Sequence, residues 1–320
     1  MSSAQSFQQA AWKRLKKNKG AIFGLIIIFI AVLISIFAYF IAPDPSPFAN
    51  RIILEIGGEK PGFKQNFIKV KKDKDVAKGG FFKQLISGKE DAYYYVPIIS
   101  HQQKGDSIIV QKFIDEGLSE RQAYHFNQAA KTPVIIKKFL LGTDKYGRDI
   151  LSRIVAGTRV SLSVGLITVA ISLSIGLILG SLAGYFRGRT DDIIMWFINV
   201  IWSIPTLLLV FAITLALGKG FWQVFIAVGL TMWVNVARLV RGQVLGIREL
   251  EYIEATKALG FSDFRTIVRH IWPNIMGPVI VIAASNFASA IVIEAGLSFL
   301  GVGVQPPQPS WGLMIKENYN

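Results

Sequence analysis

Three kinds of residue in this chain have types and spacings suited to a task. They are a charged, glycine-punctuated stretch, a carboxylate at the end of an apolar run, and glycines and a proline set within apolar runs. The stretch is residues 251–273, EYIEATKALGFSDFRTIVRHIWP. Glu254, Ala255 and Ala258 fall on a short helix-forming segment that Gly260 would close as a C′ glycine, and Ser262 stands where the cap of a second helix belongs. In that second helix Phe264, Ile267, Val268 and Ile271 recur at i, i+3, i+4 and i+7, which builds one apolar face, and Pro273 marks its expected stop. Two short helices joined at a glycine make a rigid knob. Such a knob offers another protein something to grip, and it offers a substrate no reaction.

The other candidates are weighed against plainer roles. Glu294 ends an apolar run, where a carboxylate is a functional candidate by default. The plainer role is a helix-end carboxylate hydrogen-bonded to the glycine-rich segment after it. Gly176, Gly180 and Gly184 lie at strict four-residue spacing, which lets a neighbouring helix backbone approach closely, so their role is packing. Pro205 kinks an apolar run and either lines a translocation path or makes a packing bend. Gly142 and Gly147 have the first spacing of a nucleotide-binding Walker A loop, but Arg148-Asp149 stand where Lys-Ser/Thr is needed, so no nucleotide site is expected. The chain has no cysteine, which rules out a disulfide framework and thiolate metal sites. We expect no catalytic residue, no cofactor and no metal site.

The elements that must position these residues are membrane helices. Of 320 residues 52% are hydrophobic, mean hydropathy is +0.43, and the apolar residues cluster in blocks. Uncharged runs cover residues 20–43, 160–186, 193–218, 220–237 and 271–293. A spanning helix needs ~20 mostly apolar residues, so these are five candidate spans, the 220–237 run marginally. The first lacks a small-residue cleavage site after it and is no signal peptide. The net charge of +14 is distributed by topology and does not describe a nucleic-acid face. Lys13, Arg14, Lys16, Lys17 and Lys19 precede the first span, with Trp12 suited to the interface. Arg187 and Arg189 follow the second, and Arg238, Arg241 and Arg248 follow the fourth. Single crossings put all three groups on one side, which the positive-inside rule makes the cytoplasm.

The chain divides into residues 1–42 (tail and first span), an extracytoplasmic insertion at 43–140, and a helical portion at 141–320 with a cytoplasmic loop at 238–273. In the insertion, strands are expected at 51–56, 67–70, 93–99 and 107–110, and a short helix at 118–127 opened by Ser119. Tyr93, Tyr94 and Tyr95 could meet a ligand, although an aromatic strand is usually a packed one. Residues 141–159 suit a helix lying in the outer interface, with Asp149 and Arg153 paired at i, i+4. Lys145, Arg148, Arg153 and Arg159 there run against the positive-inside trend. The fold class is an all-α polytopic membrane protein with five spans and a small α+β insertion.

Three segments resemble a known family. Glu254-Ala255, then Gly260, then Pro273 match the EAA loop of ABC importer permeases, with Thr256, His270 and Trp272 as departures from its pattern. LGTDKYGRDILSRIVAGTR (141–159) and EAGLSFLGVGVQPPQPSWG (294–312) are similar to signatures of the dipeptide/oligopeptide/nickel permease C subunits. The likeness covers 140–320 densely and the first span, and leaves the insertion unexplained. It implies one multi-pass subunit of a binding-protein-dependent importer in the inner or plasma membrane, with a cytoplasmic N-terminus and a sixth span beyond Asn320. Its partners would be a second permease subunit, two cytoplasmic ATPase subunits, an extracytoplasmic substrate-binding protein and the lipid bilayer, with no nucleic acid. In that scheme Glu254 touches the ATPase, Ala255 and Ala258 permit close approach, Gly260 sets the angle of the knob, and ATP chemistry belongs to the partner. Peptide is the expected substrate, with nickel the alternative. An ion-coupled secondary transporter would need charged midplane residues, and no span here carries one at mid-depth. A membrane-anchored sensor would need fewer spans.

Overall fold

A computed structural model describes residues 15–73, 80–218 and 220–319, so the expectations for Trp12, Lys13 and Arg14 lie outside the described residues. The chain forms two compact units, residues 1–159 and 160–320. The first opens with helix α1 (Lys19–Ile36), capped by Asn18, whose Oδ1 accepts from the Ala21 N–H at 3.1 Å. No residue of α1 is buried, which for so apolar a helix means a face turned to lipid or to another chain. A short α2 (Ala38–Ile41) follows, and Pro43, Pro45 and Pro47 turn the chain away.

An antiparallel sheet comes next, ordered β4-β3-β2-β1-β5: β1 (Phe63–Lys71), β2 (Tyr93–Lys104), β3 (Ser107–Asp115), β4 (Leu118–His125) and β5 (Ala129–Phe139). Helix α3 (Phe81–Ser87) lies between β1 and β2 in sequence. The helix expected at 118–127 is strand β4 followed by a 3₁₀ turn. Glu116-Gly117, with Gly117 at φ +80°, closes a two-residue hairpin that pairs Asp115 with Leu118. Ladder pairing with β3 outweighs the local helix signal. The strand expected at 51–56 is irregular and ends in a 3₁₀ turn (Leu54–Ile56). Its Ile53 and Ile56 sit three apart and fill one core with Phe67 and Phe139, where a strand would have sent them to opposite faces. Strand β5 was not expected, because Pro133 interrupts its apolar pattern. It is an edge strand, where proline leaves no ladder bond unmade.

Residues 141–153 make a clamp around the chain that leaves the first span. Asp144 holds it: one carboxylate oxygen accepts from the N–H groups of Tyr146 and Arg148 at 2.9 and 3.0 Å. The other lies 2.6 Å from Arg148 Nε and 3.7 Å from Arg153 Nε. Asp149 accepts from the Ser152 N–H at 2.9 Å and from its hydroxyl, while Ser152 Oγ accepts from the Asp44 N–H at 2.8 Å. Gly142 and Gly147 have φ of +77° and +71°. A Cβ on Gly147 would fall 1.7 Å from the Ile53 carbonyl oxygen, so these glycines serve backbone contact. Of the four charges that ran against the positive-inside trend, the three arginines are engaged locally and Lys145 is exposed. Arg148 and Arg153 are buried at Asp144, and Arg159 donates to the Leu85 carbonyl at 2.6 Å.

The expected interface helix does not stand alone. It is the first part of α4 (Ile150–Phe186), one 37-residue helix, because nothing between Ile150 and Phe186 breaks the ladder. Then come α5 (Gly188–Trp202), α6 (Thr206–Leu217), α7 (Phe221–Arg248), α8 (Glu251–Ala258) and α9 (Asp263–Thr266). A π turn (Ile267–Ile271), α10 (Trp272–Phe299) and α11 (Trp311–Glu317) complete the described chain. Among the described residues four helices are long and apolar enough to cross a membrane: Lys19–Ile36, Ile150–Phe186, Phe221–Arg248 and Asp263–Phe299. The pair α5 and α6 bends by 92° and makes a fifth span if it crosses as one. The protein is thus a polytopic α-helical membrane protein with four or five apolar spans and a small sheet domain.

In the second unit α7 is the central helix, with most of its length buried among α4, α5, α6 and α10. Gly176, Gly180 and Gly184 face it. A Cβ on them would come within 2.4 Å of Val236, 2.5 Å of the Ala237 carbonyl and 2.8 Å of the Arg241 carbonyl, respectively. At such range dispersion between backbones replaces side-chain packing.

Candidate functional site

The 251–273 segment folds as two short helices at a sharp corner. Helix α8 ends in a Schellman arrangement: the Gly260 N–H donates to the Lys257 carbonyl at 2.9 Å and the Phe261 N–H to the Thr256 carbonyl at 3.0 Å. Gly260 has φ +75°, and a Cβ there would meet nothing within 4 Å. The glycine is needed for backbone conformation alone. Ser262 Oγ then accepts from the Arg265 N–H at 3.4 Å as the cap of α9.

Glu254, Ala255, Ala258 and Gly260 are all exposed, and so are Leu259 (73%) and Phe264 (77%). The inner side is Ile253 and Thr256. Thr256, the departure from the third alanine of the family pattern, is buried; its hydroxyl donates to the Ile253 carbonyl at 2.7 Å and lies 3.2 Å from Thr266 Oγ1. It ties α8 to α9. The knob is also tied to the end of α4, since Tyr185 OH donates to Asp263 Oδ1 at 2.7 Å. Arg248 donates to the Tyr185 carbonyl, Arg187 pairs with Glu249, and Arg241 makes a bidentate pair with Asp191 at 2.5 and 2.6 Å.

Two expectations here are corrected. Pro273 does not stop the second helix. It lies in the first turn of α10, and Asp263–Phe299 runs on as one helix through the π turn. Proline lacks the N–H that an α-helix needs and its ring crowds the carbonyl four residues back, and the wider π turn just before it absorbs both. The π turn also rotates the apolar stripe, so that Thr266, Ile267 and Ile271 are buried while Phe264 projects.

Pro205 does not kink a continuous helix. It is the extended residue (φ −54°, ψ 124°) before α6, at the 92° corner with α5. Beside that corner is a cleft of about 260 Å³ between α7 and α10, with Ile204 and Thr206 on its wall. Its other polar lining is Thr231, Asn235, Ser285, Asn286 and Ser289, none of them charged. Asn286 is 3% exposed and its Nδ2 has no hydrogen-bond partner among the described residues. Sequence reading missed these residues because single amides and hydroxyls do not interrupt an apolar run. Glu294 is fully buried, and Ile293, not Glu294, lines the cleft. Its Oε1 accepts from Ser298 Oγ at 2.5 Å, and Ser298 Oγ accepts from the Val304 N–H at 3.0 Å, joining the helix end to the glycine-rich segment. Among the described residues no group of three or more His, Cys, Asp or Glu side chains could hold a metal ion.

Membrane helices around a buried central helix, with an exposed polar knob at one end, define a polytopic integral membrane protein. Residues 176–319 match the binding-protein-dependent transport system inner membrane component family, and residues 6–54 match the N-terminal TM domain of oligopeptide transport permease C. The dipeptide transport system permease protein DppC of Lactococcus lactis subsp. cremoris (strain MG1363) is 32% identical over 315 residues, 98% of this chain and 80% of its own length. That alignment takes in the sheet domain too. The oligopeptide transport system permease protein OppC of Bacillus subtilis (strain 168) is 41% identical over 181 residues, 57% of this chain and 59% of its own. The chain belongs to the binding-protein-dependent transport system inner membrane component family. It spans less than two thirds of several curated relatives, 59% for that OppC and 55% for the DppC of the same Bacillus subtilis strain. A solved inward-facing MetNI methionine ABC transporter is similar at 18% identity and TM-score 0.45, over 52% of this chain and 80% of that one, too loosely to bear on function.

Proposed function

We propose that this chain is a permease subunit of an ATP-driven importer of peptides, working with a second permease subunit, two ATPase subunits and an extracytoplasmic binding protein. The observation that carries the proposal is the knob at 251–273, a rigid, exposed, polar corner capped by two bare apolar side chains and joined without a break to a transmembrane helix. Glu254, Ala255, Ala258 and Gly260 form the outward surface that an ATPase would hold, and Pro273 starts the helix that carries the motion inward. ATP hydrolysis belongs to the partner. Relatives named as dipeptide and oligopeptide permeases support peptide over nickel. A cleft of neutral amides and hydroxyls suits a ligand rich in peptide N–H and C=O groups, so Pro205 and its neighbours are assigned to the pathway and Glu294 to holding its outer end. With α5 and α6 crossing as one broken span, the positive-inside rule supports a cytoplasmic N-terminus and 238–273 loop and an outer sheet domain.

The test is Glu254→Lys and Gly260→Val in the assembled transporter. Glu254→Lys is an exposed change, expected to alter stability by no more than ~0.5 kcal/mol. Both variants are expected at normal membrane levels with loss of peptide uptake and of substrate-stimulated ATP hydrolysis. Full uptake from both, at normal levels, removes the proposed mechanism.

A further inference from the structure

The sheet domain contains a cavity that the transport reading does not use. It measures about 950 Å³ and is walled by Tyr39 and the prolines that follow the first span, by α3, and by strands β1, β2 and β5. Arg51, Lys69, Lys83, Lys89 and Lys137 line it, against the carboxylates of Glu90 and Asp91. Asp91 is already taken: Arg51 Nη2 lies 2.5 Å from it and 3.0 Å from Asp44. Lys137 is different. Its ammonium sits 4.2 Å from the centre of the Tyr95 ring and has no hydrogen bond or ion pair among the described residues. Burial lowers its pKa from 10.5 to about 8, with Arg51 pushing the same way and Asp44, Asp91 and Asp149 opposing. A desolvated cation facing a basic cavity calls for an anion.

The surroundings say where that anion comes from. The cavity begins within a few residues of the end of α1 and α2, so chain connectivity holds it at headgroup depth. Beside it, α3 exposes Phe81 (59%), Phe82 (75%) and Ile86 (63%), and Phe81 stacks on Phe40 of the first span's end at 5.2 Å. Bare aromatic side chains next to lysines, continuous with a membrane helix, are a surface for the lipid interface. A soluble anion would account for the lysines and leave the phenylalanines without a purpose.

We infer that this cavity binds the phosphate headgroup of an anionic phospholipid in the leaflet at the Ile41 end of the first span, with Lys137 as its deepest cation and α3 lying along the acyl chains. The inference stands whether or not the substrate is a peptide. Arg51 is held by its two aspartates and serves to position Tyr95, over which it lies at 4.1 Å. Lys69, Lys83 and Lys89 complete the cationic wall.

The experiment uses the full chain in nanodiscs of phosphatidylcholine with and without phosphatidylglycerol, measuring retained lipid by native mass spectrometry and thermal stability alongside. Wild type should retain phosphatidylglycerol several-fold over phosphatidylcholine. Lys137→Met should abolish the preference, Lys137→Arg should keep it, and Lys83→Gln with Lys89→Gln, two exposed changes without risk to folding, should reduce it. Retention should weaken as pH rises past about 8, where Lys137 of the empty cavity loses its proton. An unchanged preference in Lys137→Met and in the Lys83/Lys89 double variant would overturn the assignment. So would inorganic phosphate that stabilises the protein as well as the lipid does, which would make the cavity a site for a soluble anion.

Discussion

Arg148 and Arg153, in residues 141–153, are 3% and 1% exposed, whereas every charged side chain in residues 251–265 is exposed. Both segments are charged, carry glycines at positive φ and lead into long apolar helices. The first turns its charge inward, onto Asp144 and the chain that leaves the first span. The second ties itself down through Ile253, Thr256 and Tyr185 and keeps its carboxylates and lysine outside. A buried ion pair is stable only where further hydrogen bonds meet its charges, and in the 141–153 clamp backbone N–H groups and Ser152 supply them to the Asp144 and Asp149 carboxylates. An exposed one contributes little to stability and remains available to a partner. Similar composition therefore separates into a structural joint and an exposed corner, the one we propose for docking.

The sharpest way to break this comparison is alanine at one glycine from each. Gly147→Ala puts a Cβ 1.7 Å from the Ile53 carbonyl at φ +71°, and the expected loss is about 4 kcal/mol or more, read as a collapse of folded yield. Gly260→Ala has the same backbone requirement and open space, so about 1–2 kcal/mol is expected, with the protein still folded. Equal effects would show that the two loops are packed alike.

The helices leading out of the two loops extend the contrast. Gly180→Leu, in α4, meets the Ala237 backbone at 2.5 Å and should cost ~1–3 kcal/mol or more in thermal stability of the purified protein. Gly277→Ala, in α10, meets nothing within 4 Å and is expected to stay within about 1 kcal/mol of wild type, on the stabilising side. A large loss at Gly277 would mean that this face packs against another subunit.

How much of this was legible depended on whether the deciding interaction was local. Four of the five expected spans, the C′ role of Gly260 and the cap at Ser262 follow from a few neighbouring residues, and the structure has them there, whereas the run at 193–218 is a helix pair bent by 92°. Strand β4 reads as a helix because Ser119 and its polar neighbours carry no alternation; only the ladder to β3 makes it a strand. Strand β5 hides behind Pro133, whose tolerance depends on lying at an edge. The π turn before Pro273 has no composition of its own. At the candidate site the loop was visible as a motif, whereas the cleft at Asn286 and the cavity at Lys137 exist only after segments distant in sequence come together.

The unbroken helix from Asp263 to Phe299 has a mechanical meaning. From Asp263 to Asn286 it is a lever arm of roughly 35 Å, at 1.5 Å per residue. Pivoting that arm by about 5° moves its far end by about 3 Å, as much as one hydrogen bond is long. A partner that held the knob, as we propose, would therefore reach the cleft through helix alone. The π turn sits near the knob end of the arm, ahead of the part that lines the cleft, so its wider ladder leaves that part an ordinary α-helix. A tilt at the knob would then arrive at Asn286 as a sideways displacement carried by the rod itself.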